Sequence, residues 1–224
     1  MQLVATIIPE MPHNLFLSKL EMHLHQDEVK RVREISNIVQ AQRSGIGSLL
    51  VAHIVSGISG LPMRGISMHR YLNGKPFLPD FPNLHYNISH THNMVVVAVG
   101  NHTMGVDIEA ISTARMAIAK RFFSKSEFEM LKNSENEDRD FLFFELWTAR
   151  ESFAKAIGTG IFASISHFIP EKVNDRWQVN DETTGVWTIQ HYHYGDNFII
   201  ALCVAKEKEI PKTIETLTIE QLWE

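Results

Sequence analysis

Two short stretches contain residues that could bind a cation. In "GVDIE", residues 105–109, Asp107 and Glu109 lie two positions apart within an otherwise apolar run. If the run is a strand, residues i and i+2 point to the same face, so the two carboxylates stand side by side. Adjacent carboxylates repel each other unless positive charge lies between them. Two interpretations are open: a site for a hard cation such as Mg²⁺, or a pair of solvated acids on an edge strand.

The second stretch is "WTARESFAK", residues 147–155. Glu151 and Lys155 are four positions apart, so on a helix they share one face and could form an ordinary surface ion pair. The surrounding residues are mostly aromatic or aliphatic, which instead predicts a largely buried helix whose charged side chains need partners. Ser152 and Lys155 also match the S-x-x-K pattern of serine acyl-enzymes, but the companion motifs of those enzymes are missing.

A proline-rich connection carries candidate phosphate ligands. In "NGKPFLPDFPNLHYNISHT", residues 73–91, Lys75 precedes the connection, and Ser89 and His90 follow it on a predicted strand. Side chains of these types donate hydrogen bonds to phosphates, and loops are where ligand contacts concentrate. The chain contains no G-x-x-x-x-G-K-[ST], so this is not a P-loop.

The composition limits the class of protein. Among 224 residues the formal net charge is −5, and Cys203 is the single cysteine. The acidic balance gives no overall basic surface for nucleic acid. No apolar run reaches the roughly 18 residues of a membrane span, and the first residues lack the pattern of a signal peptide. We therefore expect a cytoplasmic protein that binds neither nucleic acid nor membranes.

Apolar periodicity predicts elements of both kinds. Strands are expected at "LVATIIP", "HYNISH", "MVVVAVG", "MGVDIEA" and in the last third of the chain. Helices are expected from about Leu15 to Ile58 and over "ARMAIAKRFF", "SKSEFEMLKN" and "DFLFFELWTARESFAKAI", the last of which "GTGI" ends. We expect "NGKPFLPDFPNL" to be a loop, "SENEDRD" a polar break and the C-terminus a short acidic tail.

An internal echo suggests a duplicated plan. "SHTHNMVVVAVG" (89–100) and "HYGDNFIIALCV" (193–204) align at an offset of 104 residues, and each places a polar turn before an apolar strand. An offset near half the chain predicts two similar halves, although short apolar strands can also resemble one another by chance. We expect an α/β (α+β) chain with halves at residues 1–103 and 104–224.

Three blocks taken together resemble a known family. "GKP…NISHT", "GVDIE" and "WTARESFAK" are similar, in this order, to the motifs of the 4′-phosphopantetheinyl transferases, most closely the surfactin-synthetase-activating (Sfp) type. The likeness covers most of the chain, including "AKRFFSKSEF". It implies a pseudo-twofold fold of two halves, each a small sheet packed on a long helix. The first half would supply the loop and strand that bind nucleotide and phosphates, and the second the metal site and the catalytic helix.

The resemblance also implies a reaction. Such enzymes transfer the 4′-phosphopantetheine arm of coenzyme A, the co-substrate, to a serine of an apo acyl or peptidyl carrier protein, and release adenosine 3′,5′-bisphosphate. The carrier could serve nonribosomal peptide, polyketide or fatty acid synthesis, and antibiotic biosynthesis is a typical setting. Asp107, Glu109 and Glu151 would hold Mg²⁺ or Mn²⁺. The residues implied for binding coenzyme A are Arg31, Arg43, Gly74, Lys75, Pro76, Ser89, His90 and Lys155.

The resemblance leaves the catalytic roles partly open. Lys155 would stabilise the leaving group, while either Glu151, through a metal-bound water, or Glu127 could take the proton of the carrier serine. Glu127 also has a structural interpretation, because Ser124 and Glu127 match a helix capping box. One departure concerns Arg150, where the family usually has lysine, and arginine differs from lysine in geometry. A second departure, Glu28 in a region where the family has basic residues, leaves the contacts to the 3′-phosphate open.

Three further interpretations come from the residues themselves. A non-catalytic module that binds carrier proteins would keep the carrier-binding surface but would not catalyse the transfer. A zinc-dependent hydrolase would need the H-x-H pairs, which the sequence scatters at residues 23/25, 90/92 and 191/193. For carrier docking, the basic and apolar stretch "ARMAIAKRFFSK", residues 114–125, is the best candidate, and an ordinary amphipathic helix is the alternative. The resemblance, with two halves in one chain, also implies a monomer.

Overall fold

The computed structural model describes residues 1–159, 168, 170–173, 176–205 and 210–224. The chain divides into two compact units. Unit 1 comprises Met1–Thr103 together with Pro211–Glu224, and unit 2 comprises Met104–Ile210. No helix among the described residues is long and apolar enough to cross a membrane.

Unit 1 combines a four-stranded sheet with a long central helix. Its sheet has the order β11-β1-β5-β4, and its strands are β1 (Gln2–Ile7), β4 (His85–Thr91), β5 (Met94–Gly100) and β11 (Glu215–Thr216), with β2 (His69–Arg70) and β3 (Pro76–Phe77) forming a separate hairpin. Its helices are α1 (His13–His23), α2 (Gln26–Arg33), α3 (Ile38–Ser59) and α7 (Ile219–Trp223). The apolar side chains of α3 and β5 form the centre of its core.

The ends of α3 follow from the sequence. The Asn37 side chain accepts a hydrogen bond from the Gln40 amide and caps the first turn. Gly60 ends the helix in the left-handed conformation, with φ 74°, which glycine adopts without steric cost. Between these caps, most residues from Ala41 to Val55 are buried, so the helix is held by packing on several sides.

Unit 2 repeats this plan with a five-stranded sheet. The order is β6-β10-β9-β8-β7, and its strands are β6 (Met104–Ala110), β7 (Pro170–Val173), β8 (Arg176–Asp181), β9 (Gly185–Tyr194) and β10 (Phe198–Ala205). Its helices are α4 (Met116–Phe122), α5 (Lys125–Asn133) and α6 (Asn136–Ile157). Helix α6 has 22 residues, the same length as α3, and Gly158 ends it with φ 75°.

The echo in the sequence corresponds to equivalent hairpins. In unit 1, β5 pairs with β1 and β4, and in unit 2, β10 pairs with β6 and β9. The Asn93 carbonyl accepts a hydrogen bond of 2.7 Å from the Ile8 amide, and the Asn197 carbonyl accepts one of 2.7 Å from the Ile111 amide. Each turn is therefore tied to the residue that follows the first strand of its unit. The prediction of two similar halves, each a small sheet on a long helix, is confirmed.

Several details differ from the expectation. The C-terminal residues 211–224 belong to unit 1 and not to the second half, because β11 pairs with β1 in parallel and the Thr6 hydroxyl donates to the Leu217 carbonyl at 2.7 Å. The expected loop, residues 73–84, contains β3, which pairs with β2 just before the loop, and the region from Leu15 to Ile58 is three helices. The polar break is short, since α6 already begins at Asn136. Of the expected "GTGI" ending, residues 160–161 lie outside the described residues.

Candidate active site

Asp107 and Glu109 lie on β6, at one edge of the unit 2 sheet within the described residues. The alternation of the strand places them on one face, as the spacing predicts. Asp107 is 4% exposed, and its Oδ1 accepts a hydrogen bond of 2.6 Å from Lys155 Nζ on α6. Two residues that are 48 positions apart in the sequence thus meet where β6 packs on α6.

A glycine makes this close packing possible. A Cβ atom at Gly105 would lie 2.1 Å from the Ser152 carbonyl oxygen and 2.4 Å from the Ala156 amide nitrogen. Both atoms belong to the backbone of α6 and cannot rotate away, so only glycine allows the strand and helix to approach so closely. Gly105 therefore sets the distance at which Asp107, two residues further along β6, faces Lys155.

Glu151 joins this group from α6. Burial is the largest cause that raises the pKa of Glu151 to about 7, and the negative charge of Asp107 is the next. The charge of Lys155 lowers this pKa, and the charge of Glu109 raises it further. Burial and the charge of Asp107 also raise the pKa of Glu109, against a hydrogen bond from the Trp147 side chain. The three carboxylates are therefore close enough to sense each other's charge, and repulsion among them is opposed by Lys155.

The chemistry of this group suits a hard cation. Oxygen ligands from several carboxylates are the set that Mg²⁺ and Ca²⁺ prefer, and the Lys155 ammonium already places one positive charge against Asp107. Across the described ranges, however, no three Asp, Glu, His or Cys side chains converge closely enough to hold a metal ion. Direct ligation by Asp107, Glu109 and Glu151 together would therefore require their side chains to move.

Glu127 has a different environment. It is 7% exposed, and its Oε2 accepts a hydrogen bond of 2.7 Å from the Ser124 amide, which completes a capping box at the start of α5. The same oxygen forms a buried ion pair with Arg150. Burial alone would raise the pKa of Glu127, but the hydrogen bonds and charge of Arg150, together with Ser124, outweigh it and lower the pKa. The structural interpretation of the Ser124-x-x-Glu127 pattern is confirmed.

Unit 1 contains a polar cavity of about 300 Å³. Three of the residues predicted to bind coenzyme A line it, namely Arg31, Pro76 and His90, and Arg70 adds a second guanidinium. The other lining residues are Ile35, Gln40, Ser44, Asn87 and Ile88. With two guanidinium groups and several hydrogen-bond donors, the cavity suits an anion such as a phosphate.

Arg31 is held in place at the wall of this cavity. Its Nε donates to Glu28 Oε1 at 2.9 Å, and an Nη donates to the Ser44 hydroxyl at 2.8 Å. Glu28 is 5% exposed and also accepts a hydrogen bond from the Ser48 hydroxyl. The acidic residue that departs from the family pattern therefore orients Arg31, and it offsets part of the positive charge of the cavity.

The remaining predicted phosphate ligands lie outside the lining of the cavity. Arg43 donates from Nε and Nη2 to the His92 carbonyl, at 2.9 and 2.7 Å. Gly74, with φ 83°, and Lys75 lie on the turn of the β2–β3 hairpin. Ser89 is buried on β4 beside His90. The structure therefore brings together only part of the predicted set within unit 1.

Arg70, which lines the same cavity, was missed by the sequence analysis. In the β2–β3 hairpin Arg70 pairs with Pro76, and its Nη1 donates to the Gly74 carbonyl at 3.2 Å. The signal was available, because an Asn-Gly dipeptide such as Asn73-Gly74 is a frequent hairpin turn. Gln40 and Ser44 were missed as well; they lie one turn apart on α3.

Comparisons with known proteins agree with the motifs. The 4′-phosphopantetheinyl transferase superfamily matches residues 103–203, and the family described as 4′-phosphopantetheinyl transferase, N-terminal, matches residues 11–102. The chain belongs to the 4′-phosphopantetheinyl transferase family, and it is a transferase.

Individual relatives cover most of the chain. The 4′-phosphopantetheinyl transferase psf-1 of Bacillus pumilus is 32% identical over 83% of this chain and 80% of its own length. The 4′-phosphopantetheinyl transferase Sfp of Bacillus subtilis strain 168 is 30% identical over 86% of this chain and 87% of its own length. The 4′-phosphopantetheinyl transferase gsp of Aneurinibacillus migulanus is 39% identical, over 61% of this chain and 56% of its own length. The resemblance to the Sfp type is thereby confirmed.

Proposed function

We propose that this transferase uses coenzyme A as donor and, with Mg²⁺, modifies a serine of apo carrier proteins, releasing adenosine 3′,5′-bisphosphate. The observation that carries the proposal is the grouping of Asp107, Glu109 and Glu151 with Lys155 where β6 packs on α6. Phosphoryl transfer depends on positioning and on neutralising charge, and this group offers ligands for a cation together with a cation of its own.

Each side chain of the group has a distinct proposed role. Asp107, Glu109 and Glu151 would hold Mg²⁺, or Mn²⁺ in its place, after their side chains move closer together. When bound, the ion supplies positive charge that neutralises the pyrophosphate as the P–O bond breaks. Lys155 leaves Asp107 to donate to the leaving phosphate, where negative charge grows in the transition state.

We propose Glu151, and not Glu127, as the base for the carrier serine. Glu151 lies in the group with Asp107 and Lys155, whose charges act on its pKa, and a base must lie near the reacting atoms to take the proton. Glu127 has a lowered pKa and is engaged by Ser124 and Arg150. A carboxylate stabilised in its charged form by a buried partner is a poor proton acceptor.

For the nucleotide we propose the cavity of unit 1. Arg31, Arg70 and His90 would bind a phosphate of coenzyme A, with Arg70 added to the residues that the sequence predicted. Gly74 and Pro76 shape the hairpin beside the cavity.

The other candidates of unit 1 would reach the ligand only after changes of side-chain conformation; they are Lys75, Ser89 and Arg43. Of these, Arg43 would have to leave the carbonyl of His92.

Replacing Lys155 by methionine tests its role in leaving-group stabilisation. Methionine keeps much of the side-chain volume but removes the charge, so we expect kcat to fall by roughly 100-fold to 1,000-fold with little change in the KM for the carrier. Steady-state kinetics with an apo carrier measures both constants. Lys132→Met is the matched control, since Lys132 is half exposed at the end of α5 and pairs only with Glu129 among the described residues. An effect confined to the carrier KM contradicts the role.

For carrier docking we propose the basic surface of α4 and the start of α5. Arg115, Lys120, Arg121 and Lys125 are exposed there, and the half-buried Met116 and Phe122 lie between them. Carrier proteins are typically acidic, so such a surface is complementary to them in charge although the chain as a whole is acidic.

Charge reversal tests this surface. We expect Arg121→Glu combined with Lys125→Glu to raise the KM for the carrier by about three- to tenfold, more at low salt, with kcat nearly unchanged. Lys132→Glu, on the same unit but at the far end of α5, is the control. A carrier KM that rises equally in the control, or that does not respond to salt, argues against a docking role for α4.

The reaction itself is tested by mass. Wild-type protein is incubated with coenzyme A, Mg²⁺ and a panel of apo carriers from peptide, polyketide and fatty acid synthesis. Each modified carrier should gain one phosphopantetheine arm, and a chelator should stop the gain. Binding to carriers without any gain would favour the non-catalytic module. The zinc hydrolase interpretation has lost its support, because the chain belongs to the transferase family. A monomeric state and a cytoplasmic location stay predictions for sizing and fractionation experiments.

A further inference from the structure

A buried arginine lies directly before Glu151 on α6. Arg150 is 2% exposed, and its guanidinium carbon lies 4.3 and 4.6 Å from the centroids of the Phe123 and Phe168 rings. One Nη donates to the Leu146 carbonyl at 3.1 Å, and the other forms the ion pair with Glu127. The group is thus held by two aromatic rings and by a contact from each of its Nη atoms.

This arrangement is costly for the folded protein. Burial lowers the pKa of Arg150, while Glu127 raises it. Arg150 Nε and Glu127 Oε1 are buried and have no hydrogen-bond partner within the described part of the chain. Two apolar side chains of similar size often stabilise a core as well as a buried ion pair does. Stability alone therefore does not account for the pair.

The contacts of Arg150 join separate elements of unit 2. Glu127 belongs to the first turn of α5 and is tied to Ser124 by the capping box, and Phe123 lies at the end of α4. Leu146 is one turn back along α6. The guanidinium thus fixes the rotation and position of the α6 turn that leads into Glu151 relative to α4 and α5.

We infer that Arg150 is a positioning residue for Glu151. The inference rests on the proposed role of Glu151 in the reaction. A lysine, the usual residue of the family at this place, has a compact ammonium that cannot stack on two rings and donate from separate edges at the same time. In this chain the site therefore depends on the planar guanidinium, and Glu127 acts on the reaction through Arg150 rather than on the substrate.

Arg150→Lys is the first test. We expect kcat to fall on the order of 100-fold, since small misplacement of a reacting group has effects of that size, while the affinity for coenzyme A changes by less than about threefold. Arg139→Lys is the matched control. Arg139 also ties α6 to α5, through hydrogen bonds of 2.9 and 2.6 Å to the carbonyls of Leu131 and Ser134, but lies three turns before Glu151. Its kcat should stay within about threefold of wild type.

Chemical rescue separates positioning from packing. Arg150→Ala should have a low kcat. Guanidinium, added below unfolding concentrations, should raise the kcat of this variant at least about tenfold, whereas methylammonium should not raise it. Equal rescue by both cations would overturn the inference. A wild-type kcat in Arg150→Lys would overturn it as well, and so would a fall in the kcat of Arg139→Lys as large as that of Arg150→Lys. If Arg150→Ala does not fold, Arg150→Lys and Glu127→Gln are used instead. A lowered kcat with an unchanged affinity for coenzyme A supports the positioning role, and an unchanged kcat in both variants overturns it.

The same panel distinguishes this inference from the proposed role of Glu151. Glu151→Gln is assayed beside it. If Glu151→Gln keeps wild-type kcat, the role of Glu151 fails, whatever Arg150→Lys does. If Glu151→Gln is inactive while Arg150→Lys is fully active, the positioning inference alone fails.

Discussion

Asp107→Asn is expected to reduce kcat on the order of 1,000-fold, because loss of a ligand that fixes a catalytic cation costs several kcal/mol in the transition state. Asparagine keeps the shape of the side chain, and its amide oxygen can still accept the hydrogen bond that Lys155 Nζ donates to Asp107. What it loses is the negative charge with which Asp107 is proposed to hold the cation. The measurements are kcat at saturating coenzyme A and carrier, its dependence on Mg²⁺ concentration, and the melting temperature.

Asp181→Asn is the control for Asp107. Asp181 is also a buried carboxylate of unit 2, but it caps the β8–β9 turn through hydrogen bonds from Thr183 and Thr184. Its replacement should lower the melting temperature and leave kcat unchanged. Full activity of Asp107→Asn at ordinary Mg²⁺ concentrations would show that Asp107 is not a ligand of the cation.

The second large effect is expected from one added methyl group at Gly105. In Gly105→Ala the new Cβ meets the backbone of Ser152 and Ala156 at 2.1 and 2.4 Å, so β6 and α6 must separate. Overpacking of this kind costs about 3 kcal/mol of unfolding free energy. Because Asp107 lies on the strand and Glu151 and Lys155 on the helix, we also expect kcat to fall on the order of 100-fold. Urea unfolding and steady-state kinetics measure the two effects.

A glycine on a helix, away from the site, gives the comparison for Gly105. Gly57 lies exposed on α3, and a Cβ added there would meet nothing within 4 Å. Gly57→Ala should raise the unfolding free energy by up to about 1 kcal/mol, since alanine favours the helix over glycine, and kcat should not change. If Gly105→Ala unfolds at the same urea concentration as wild type and stays active, the strand and helix do not need their close approach.

Local periodicity explains how much of the fold could be predicted. The two-residue repeat of strands placed Asp107 and Glu109 on one face, and the helical repeat placed Glu151 and Lys155 on one face. The hairpin echo likewise depends on neighbouring residues. Elements that depend on distant pairing were predicted less well: β11 was read as part of an acidic tail because β1, the strand with which it pairs, lies more than two hundred residues earlier.

The candidate site shows the same limit. Residue types and order were sufficient to identify the family by its motifs, and that resemblance selected Asp107, Glu109, Glu151 and Lys155. Charge in apolar segments is costly, which had already marked these residues as needing partners. They could not separate the two interpretations of Glu127, since a capping box is visible locally but its partner Arg150 is 23 residues away.

The sequence by itself therefore determined the class of enzyme, the two-unit plan and the acids and lysine on which the chemistry is proposed to depend. Only the tertiary structure decided that Gly105 brings β6 against α6, that Arg70 lines the cavity with Arg31, and that Glu127 is occupied by Arg150. The physical reason is that spacing along a chain fixes which face of an element a side chain occupies, whereas its partner depends on which elements pack together.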